Sequence, residues 1–148
     1  MVVNAALRSA VPDDLGRVVA LLEHAGLPAA DITPDGLADF MVAHDAAEII
    51  GVAGLERHGE HGLLRSLAVA PDWRGRGLGA ALVEAIEAKA RALGVRSLLL
   101  LTRTAAPLFA ARGYEEITRS QAPAAVQAST EFTVLCPASS TCMQKIIH

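Results

Sequence analysis

The chain has 148 residues, enough for one domain with a sizeable core. Hydrophobic residues make up 52%, a share inflated by alanine, and aromatics only 3%, so an aliphatic core is expected. A net charge of −3 gives no support for a nucleic-acid partner, and no run is long and apolar enough to span a membrane. The opening residues Met1 to Ala5 lack the charged start and apolar core of a secretion signal, so a cytoplasmic location is expected.

Ala5 to Ser9 reads as a short strand. Pro12-Asp13-Asp14 then opens a helix, since proline suits a first turn and acidic residues suit its dipole. Leu15, Val18, Val19 and Leu22 share one face of it, and Gly26 with Pro28 ends it. Thr33-Pro34-Asp35 looks like a second helix start, leading to Leu37, Phe40 and Met41. Phe40 to Ala43 reads as a strand, His44 to Ala47 as a turn, and Glu48 to Glu56 as a longer strand. Gly51 and Gly54 inside that strand mark a bulge or a close backbone approach. A polar turn, His58 to Gly62, leads into the strand Leu63 to Val69.

The most informative segment follows: Arg74-Gly75-Arg76-Gly77-Leu78-Gly79, between that strand and a helix running from Leu78 to Leu93. A glycine turn that opens a helix presents backbone N–H groups at the positive end of the helix dipole, a place for phosphate. Glycine lets the backbone come close to the anion, and two arginines add charge. A Walker loop is excluded because Ala80-Ala81 stands where Lys-Ser or Lys-Thr would follow. The dinucleotide fingerprint is excluded because Gly75, Gly77 and Gly79 are spaced by two throughout.

The long helix is expected to bury Leu78, Leu82, Ala85, Ile86 and Leu93 and to turn Glu84, Glu87 and Arg91 outward, with Gly94 as its stop. Val95 to Thr102 contains Leu98-Leu99-Leu100-Leu101, as expected of a strand covered on both faces. Ala105 to Arg112 reads as a short helix, Tyr114 to Ile117 as a strand, and Ala122 to Gln127 as a helical turn. Glu131 to Pro137 reads as a short turn or strand, and the last strand runs from about Cys142 to Ile147. The order implies an α/β fold with a mixed sheet and helices on both faces. Neither a repeat nor a linker divides the chain, so residues 1–148 read as a single domain.

Arg74, Gly77 and Gly79 resemble the Arg/Gln-x-x-Gly-x-Gly/Ala signature of the GNAT superfamily of acyl-CoA-dependent N-acyltransferases. The run Leu67 to Gly75 is similar to that family's strand exit, and Leu108 to Tyr114 to its later helix-to-strand corner. The resemblance covers roughly residues 5–120. It implies the GNAT fold with acetyl-CoA as co-substrate, its diphosphate on Arg74, Gly75, Arg76, Gly77, Leu78, Gly79 and Ala80. It further implies that the pantetheine arm pairs with Leu67, Ala68 and Val69, and that a backbone N–H near Leu67 holds the developing oxyanion.

The side-chain chemistry needs a base for the amine and a donor for the departing thiolate. Glu56, at the end of a strand, is the candidate base, directly or through water; an exposed carboxylate with no such role is the alternative. Many GNAT members carry a tyrosine donor four residues before the second motif's glycine, and here that position is Phe109. Water, Thr102 or Thr104 could donate, or the thiolate could leave unprotonated, since a thiol's pKa is about 8.5. Arg65 and Ser66 interrupt an apolar strand. Arg65 is a candidate for an anionic group on the acceptor, with an ion pair to Glu56 as the alternative; Ser66 would orient the acceptor, and Arg8 could add a second positive contact.

Cys136 and Cys142 lack the further ligands a zinc site needs, so no metal is expected and packing is their expected role. That tail, with Leu64 to Val69 and Leu100-Leu101-Thr102, resembles a GNAT branch named arsenic-resistance N-acetyltransferases. The branch implies a small amine acceptor, plausibly an amino-acid-like toxin such as arsinothricin or phosphinothricin. The competing readings are a non-catalytic acyl-CoA sensor and an arsenite-binding thiol protein. A homodimer through the terminal strands is left open.

Overall fold

A computed structural model of the chain describes residues 5–130, 132–133 and 140–147. The strands are β1 (Ala6–Ser9), β2 (Phe40–Asp45), β3 (Glu48–His58), β4 (His61–Val69), β5 (Ser97–Thr102), β6 (Glu115–Ile117) and β7 (Thr141–Ile146). The helices are α1 (Leu15–His24), α2 (Leu78–Ala92), α3 (Ala106–Ala111) and α4 (Ala124–Gln127). Among the described residues the strands form one seven-stranded sheet in the order β1-β2-β3-β4-β5-β7-β6. The sheet is mixed: β4 and β5 pair in parallel, whereas β1–β2, β2–β3, β5–β7 and β6–β7 are antiparallel. Two compact units can be distinguished. One takes the chain up to Leu55 together with Ser66–Lys89, and the other takes Glu56–Arg65 and the chain from Ala90 onward.

In the first unit, adjacent residues of a strand point to opposite faces. Val42 and Val52 pack with Val18 and Leu22 of α1. A Cβ on Gly51 would meet Leu82 and Leu78 of α2 at 2.9 and 3.2 Å. The two helices therefore cover opposite faces of β2 and β3, as the chain order implied. Gly54 is the closer approach: its Cβ would lie 2.5 Å from the Phe40 ring, its partner across β2 and β3. Both interior glycines of β3 are thus close approaches, to a ring on one face and to α2 on the other.

In the second unit, Leu63, Leu99, Ala122, Val126, Phe132 and Cys142 form a core cluster. Leu98, Leu99 and Leu100 are all fully buried, as their unbroken apolar run requires. Phe109 of α3 meets Tyr114 edge to face, with ring centroids 5.3 Å apart.

Several local expectations need correction. The helix expected after Thr33 is only a 3-10 turn, Gly36–Asp39, which passes directly into β2. Thr33 Oγ1 accepts from Gly36 N at 3.0 Å, and that single capped turn is all the segment forms. The first turn of the chain at Pro12–Asp14 is also 3-10, with α1 starting at Leu15. Glu87 is buried rather than outward, and Leu93, beyond the last residue of α2, is exposed rather than buried. The segment expected at Glu131 to Pro137, with Cys136, lies largely outside the described residues. No described helix is long and apolar enough to cross a membrane.

Candidate functional site

The loop from β4 to α2 is built in three steps. Pro71–Trp73 makes a 3-10 turn, with Trp73 N donating to Ala70 O at 2.9 Å. Arg74 Nε donates back to Val69 O at 3.1 Å, tying the loop to the end of β4. Gly75 and Gly77 then take φ of +77° and +81°. A side chain at either would be strained, yet neither Cβ would meet an atom within 4 Å. Glycine is therefore required here by backbone conformation, and the space in front of it is open.

Helix α2 begins immediately behind. Its first i→i−4 bond runs from Ala81 N to Gly77 O at 3.1 Å, so the N–H groups of Leu78, Gly79 and Ala80 precede the ladder. No acidic residue stands in that first turn. An isolated helix start gains from a carboxylate there. Arginines beside the turn leave that charge to be supplied by a bound anion. The Arg76 guanidinium lies 4.9 Å from the centroid of Trp73, a cation–π contact that sequence reasoning passed over. The spacing of three residues within one tight loop was its only signal.

On β4 the strand carries a defect at the position where polar residues interrupt it. Ser66 adopts φ +59°, a left-handed conformation that costs a non-glycine residue of order 1–3 kcal/mol. The β4–β5 ladder pairs His61, Gly62 and Leu63 with Ser97, Leu98 and Leu99. Leu67, Ala68 and Val69 follow the Ser66 kink. Ala68 packs into the α1-side core, leaving Leu67 and Val69 half-buried.

The remaining candidates have definite partners. Arg65, almost wholly buried, donates from Nη1 to Glu56 Oε2 at 3.1 Å, so the ion-pair alternative is formed. The other carboxylate oxygen of Glu56 faces His58 Nε2 at 2.7 Å. His58 was missed as a site residue, although its spacing of two from Glu56 along β3 put both on one face. Arg8 forks onto Asp14, at 2.7 and 3.0 Å. That hydrogen-bonded pairing holds the Asp14 carboxyl below and the Arg8 guanidinium above their ordinary pKa values. Arg8 is thus occupied within β1 and the turn before α1. Thr102 Oγ1 accepts from Ala105 N at 2.9 Å, bracing the entry to α3 and leaving its hydroxyl proton free to donate.

Phe109 is buried against Tyr114 and offers no proton. Cys142 is packed in the core, where burial pushes its thiol above the ordinary range. Among the described residues no group of three or more His, Cys, Asp or Glu side chains could hold a metal ion.

The sequence matches the profile described as "Acetyltransferase (GNAT) domain" over residues 36–116, more than half of the chain. It is 35% identical over 127 residues to an amino-acid acetyltransferase of Azotobacter vinelandii, covering 80% of this chain and 29% of that protein. An amino-acid acetyltransferase of Ralstonia nicotianae is 32% identical over 125 residues, covering 79% and 28%. The chain therefore spans less than a third of the length of these curated relatives. Among solved structures, N-acetylglutamate synthase from Neisseria gonorrhoeae, complexed with coenzyme A and N-acetyl-glutamate, superimposes with a TM-score of 0.85 at 21% identity, over 100% of this chain and 36% of that one. Rv2747 from Mycobacterium tuberculosis, in complex with CoA, gives 0.81 at 21% identity over 97% and 99%. The fold and the profile match agree, and the chain belongs to the GNAT acetyltransferase family.

Proposed function

We propose that this protein transfers the acetyl group of acetyl-CoA to the amine of a small amino-acid-like acceptor. The observation that carries the reading is the turn before α2. Gly75 and Gly77 are left-handed with open space before them, and a helix start without acidic residues stands behind. Backbone N–H groups and the two arginines supply a diphosphate site from Arg74 to Ala80. The pantetheine arm lies along Leu67, Ala68 and Val69. The left-handed kink at Ser66 bends β4 out of regular register, and the Leu67 N–H polarises the thioester carbonyl.

The acceptor amine, protonated at neutral pH, loses its proton before attack. Glu56 provides the basic site, directly or through the group bonded to it. Its lone pair attacks the thioester carbonyl, and the C–S bond breaks. Thr102, water, or departure as thiolate serves the leaving sulfur. Arg65 and Ser66 face the acceptor's anionic end in this reading, and Arg8 adds charge only by giving up Asp14. One single domain, free of metal and with a small-molecule partner, suffices for this chemistry.

An amino-acid acceptor is supported by the names of the curated relatives. Within that class, arsinothricin and phosphinothricin are the finer proposal, since a guanidinium suits their anionic heads. The arsenite-thiol reading is disfavoured by the burial of Cys142. The test is calorimetry with acetyl-CoA, followed by CoA release across glutamate, other amino acids and the two toxins. Binding with turnover on one acceptor class supports the proposal. Binding with no turnover on any acceptor leaves a sensor domain, and no binding removes the loop from the site.

A further inference from the structure

We propose that His58 is the group that takes the proton from the acceptor amine, and that Glu56 is its positioning residue. The inference deepens the acetyl-transfer reading above and rests on it.

Three side chains form a line. Arg65 on β4 is only 3% exposed, Glu56 on β3 is 31% exposed, and His58, two residues further along β3, is 19% exposed. Arg65 Nη1 donates to Glu56 Oε2 at 3.1 Å, and Glu56 Oε1 lies 2.7 Å from His58 Nε2. The line thus runs from a fixed buried cation, through a carboxylate, to an imidazole that solvent and small molecules can reach.

Proton bookkeeping then decides the tautomer. An ionised carboxylate can only accept hydrogen bonds, so the hydrogen must sit on His58 Nε2. In the neutral ring that leaves Nδ1 with its lone pair. A carboxylate, with an ordinary pKa near 4, is a weak base for an ammonium, whereas imidazole gains and loses its proton near neutral pH. Carboxylate, oriented imidazole and a free ring nitrogen make the arrangement that positions a general base. When Nδ1 takes the amine proton, the ring becomes cationic against Glu56, which stabilises it. The freed lone pair attacks the thioester carbonyl and the C–S bond breaks. The nitrogen sheds two protons in all: one passes through Nδ1 to water, and the other ends on the departing sulfur.

The experiment compares H58A, H58Q and E56Q in the full chain, reading CoA release and the ring ¹⁵N signals of His58. H58Q keeps an N–H donor for Glu56 but has no basic nitrogen. Both His58 variants are expected to lose about 10²–10³ in kcat. KM for acetyl-CoA should stay within about twofold, and added imidazole should restore part of the H58A rate. E56Q should slow turnover less than H58A. Ring spectra of the unaltered protein should show hydrogen on Nε2 and a bare Nδ1. Full kcat in H58Q would make His58 a mere brace and overturn the proposal. So would an inactive E56Q beside an active H58A, or hydrogen on Nδ1. If the unaltered chain releases no CoA with any acceptor, the transfer reading fails and takes this inference with it. The ring spectra still report the tautomer, so the two failures are told apart.

Discussion

Replacing Gly77 by glutamate and, separately, by alanine divides what the loop owes to the fold from what it owes to its ligand. Gly77 sits at φ +81° with nothing within 4 Å of the position a Cβ would take. Both variants meet the same left-handed backbone cost of about 1–2 kcal/mol and no clash. For a chain of this size that is a Tm loss of roughly 2–8 °C. Glutamate recovers about 0.3–1 kcal/mol from the α2 dipole, so G77E should melt no lower than G77A. Binding should move the other way. A carboxylate about 4 Å from a phosphate charge, at an effective dielectric near 20, is repelled by about 4 kcal/mol. If salt and exposure screen half of that, about 2 kcal/mol remains, near a thirtyfold loss in affinity. Calorimetry with acetyl-CoA reads this directly. The single tryptophan, Trp73, under Arg76, offers fluorescence as a second probe. If G77E bound acetyl-CoA as tightly as G77A, the diphosphate would not lie on this turn, and the reasoning would fail.

Gly54→Ala should lower stability by about 1–3 kcal/mol, because its Cβ would press into the Phe40 ring, and F40L should recover part of the loss in denaturant melts. Asp14→Asn should cost about 1–2 kcal/mol at neutral pH, toward the low end because Arg8 is part exposed. The folded Asp14 carboxyl is depressed, so its stabilisation is present above the unfolded carboxyl's pKa and fades as pH falls through the lower folded value. Chemical denaturation at stepped pH should show the two proteins converging only in acid; a constant gap would contradict the assignment. Arg65→Ala should raise KM for the acceptor more than KM for acetyl-CoA, and equal rises would mark the Glu56 pair as purely structural. Acetyl-CoA at about a hundred times its Kd should stabilise the unaltered protein by roughly 2.7 kcal/mol in a thermal shift.

The features legible in the sequence are local ones. Glycines at 75 and 77 before an apolar-striped helix announce a left-handed turn at a helix start, because only glycine takes that backbone freely. Four consecutive leucines announce a strand buried on both faces, and β5 is one. Gly51 and Gly54 announced a close approach without saying to what. The Phe40 ring and α2 became visible only once strands and helix were packed.

What the chain order alone could not decide is which charges meet. Arg65 interrupts an apolar strand in either reading, and the sequence left the acceptor and Glu56 as rivals for it. The β3–β4 hairpin brings Glu56 within 3.1 Å and adds His58 to the same carboxylate. Arg8 likewise finds Asp14, and Glu87 goes inward against its helical pattern. Periodicity and turn chemistry act over a few neighbouring residues, and sequence records them directly. Ion pairs and side-chain direction depend on strand pairing and helix rotation, and these are fixed only when distant segments share one core.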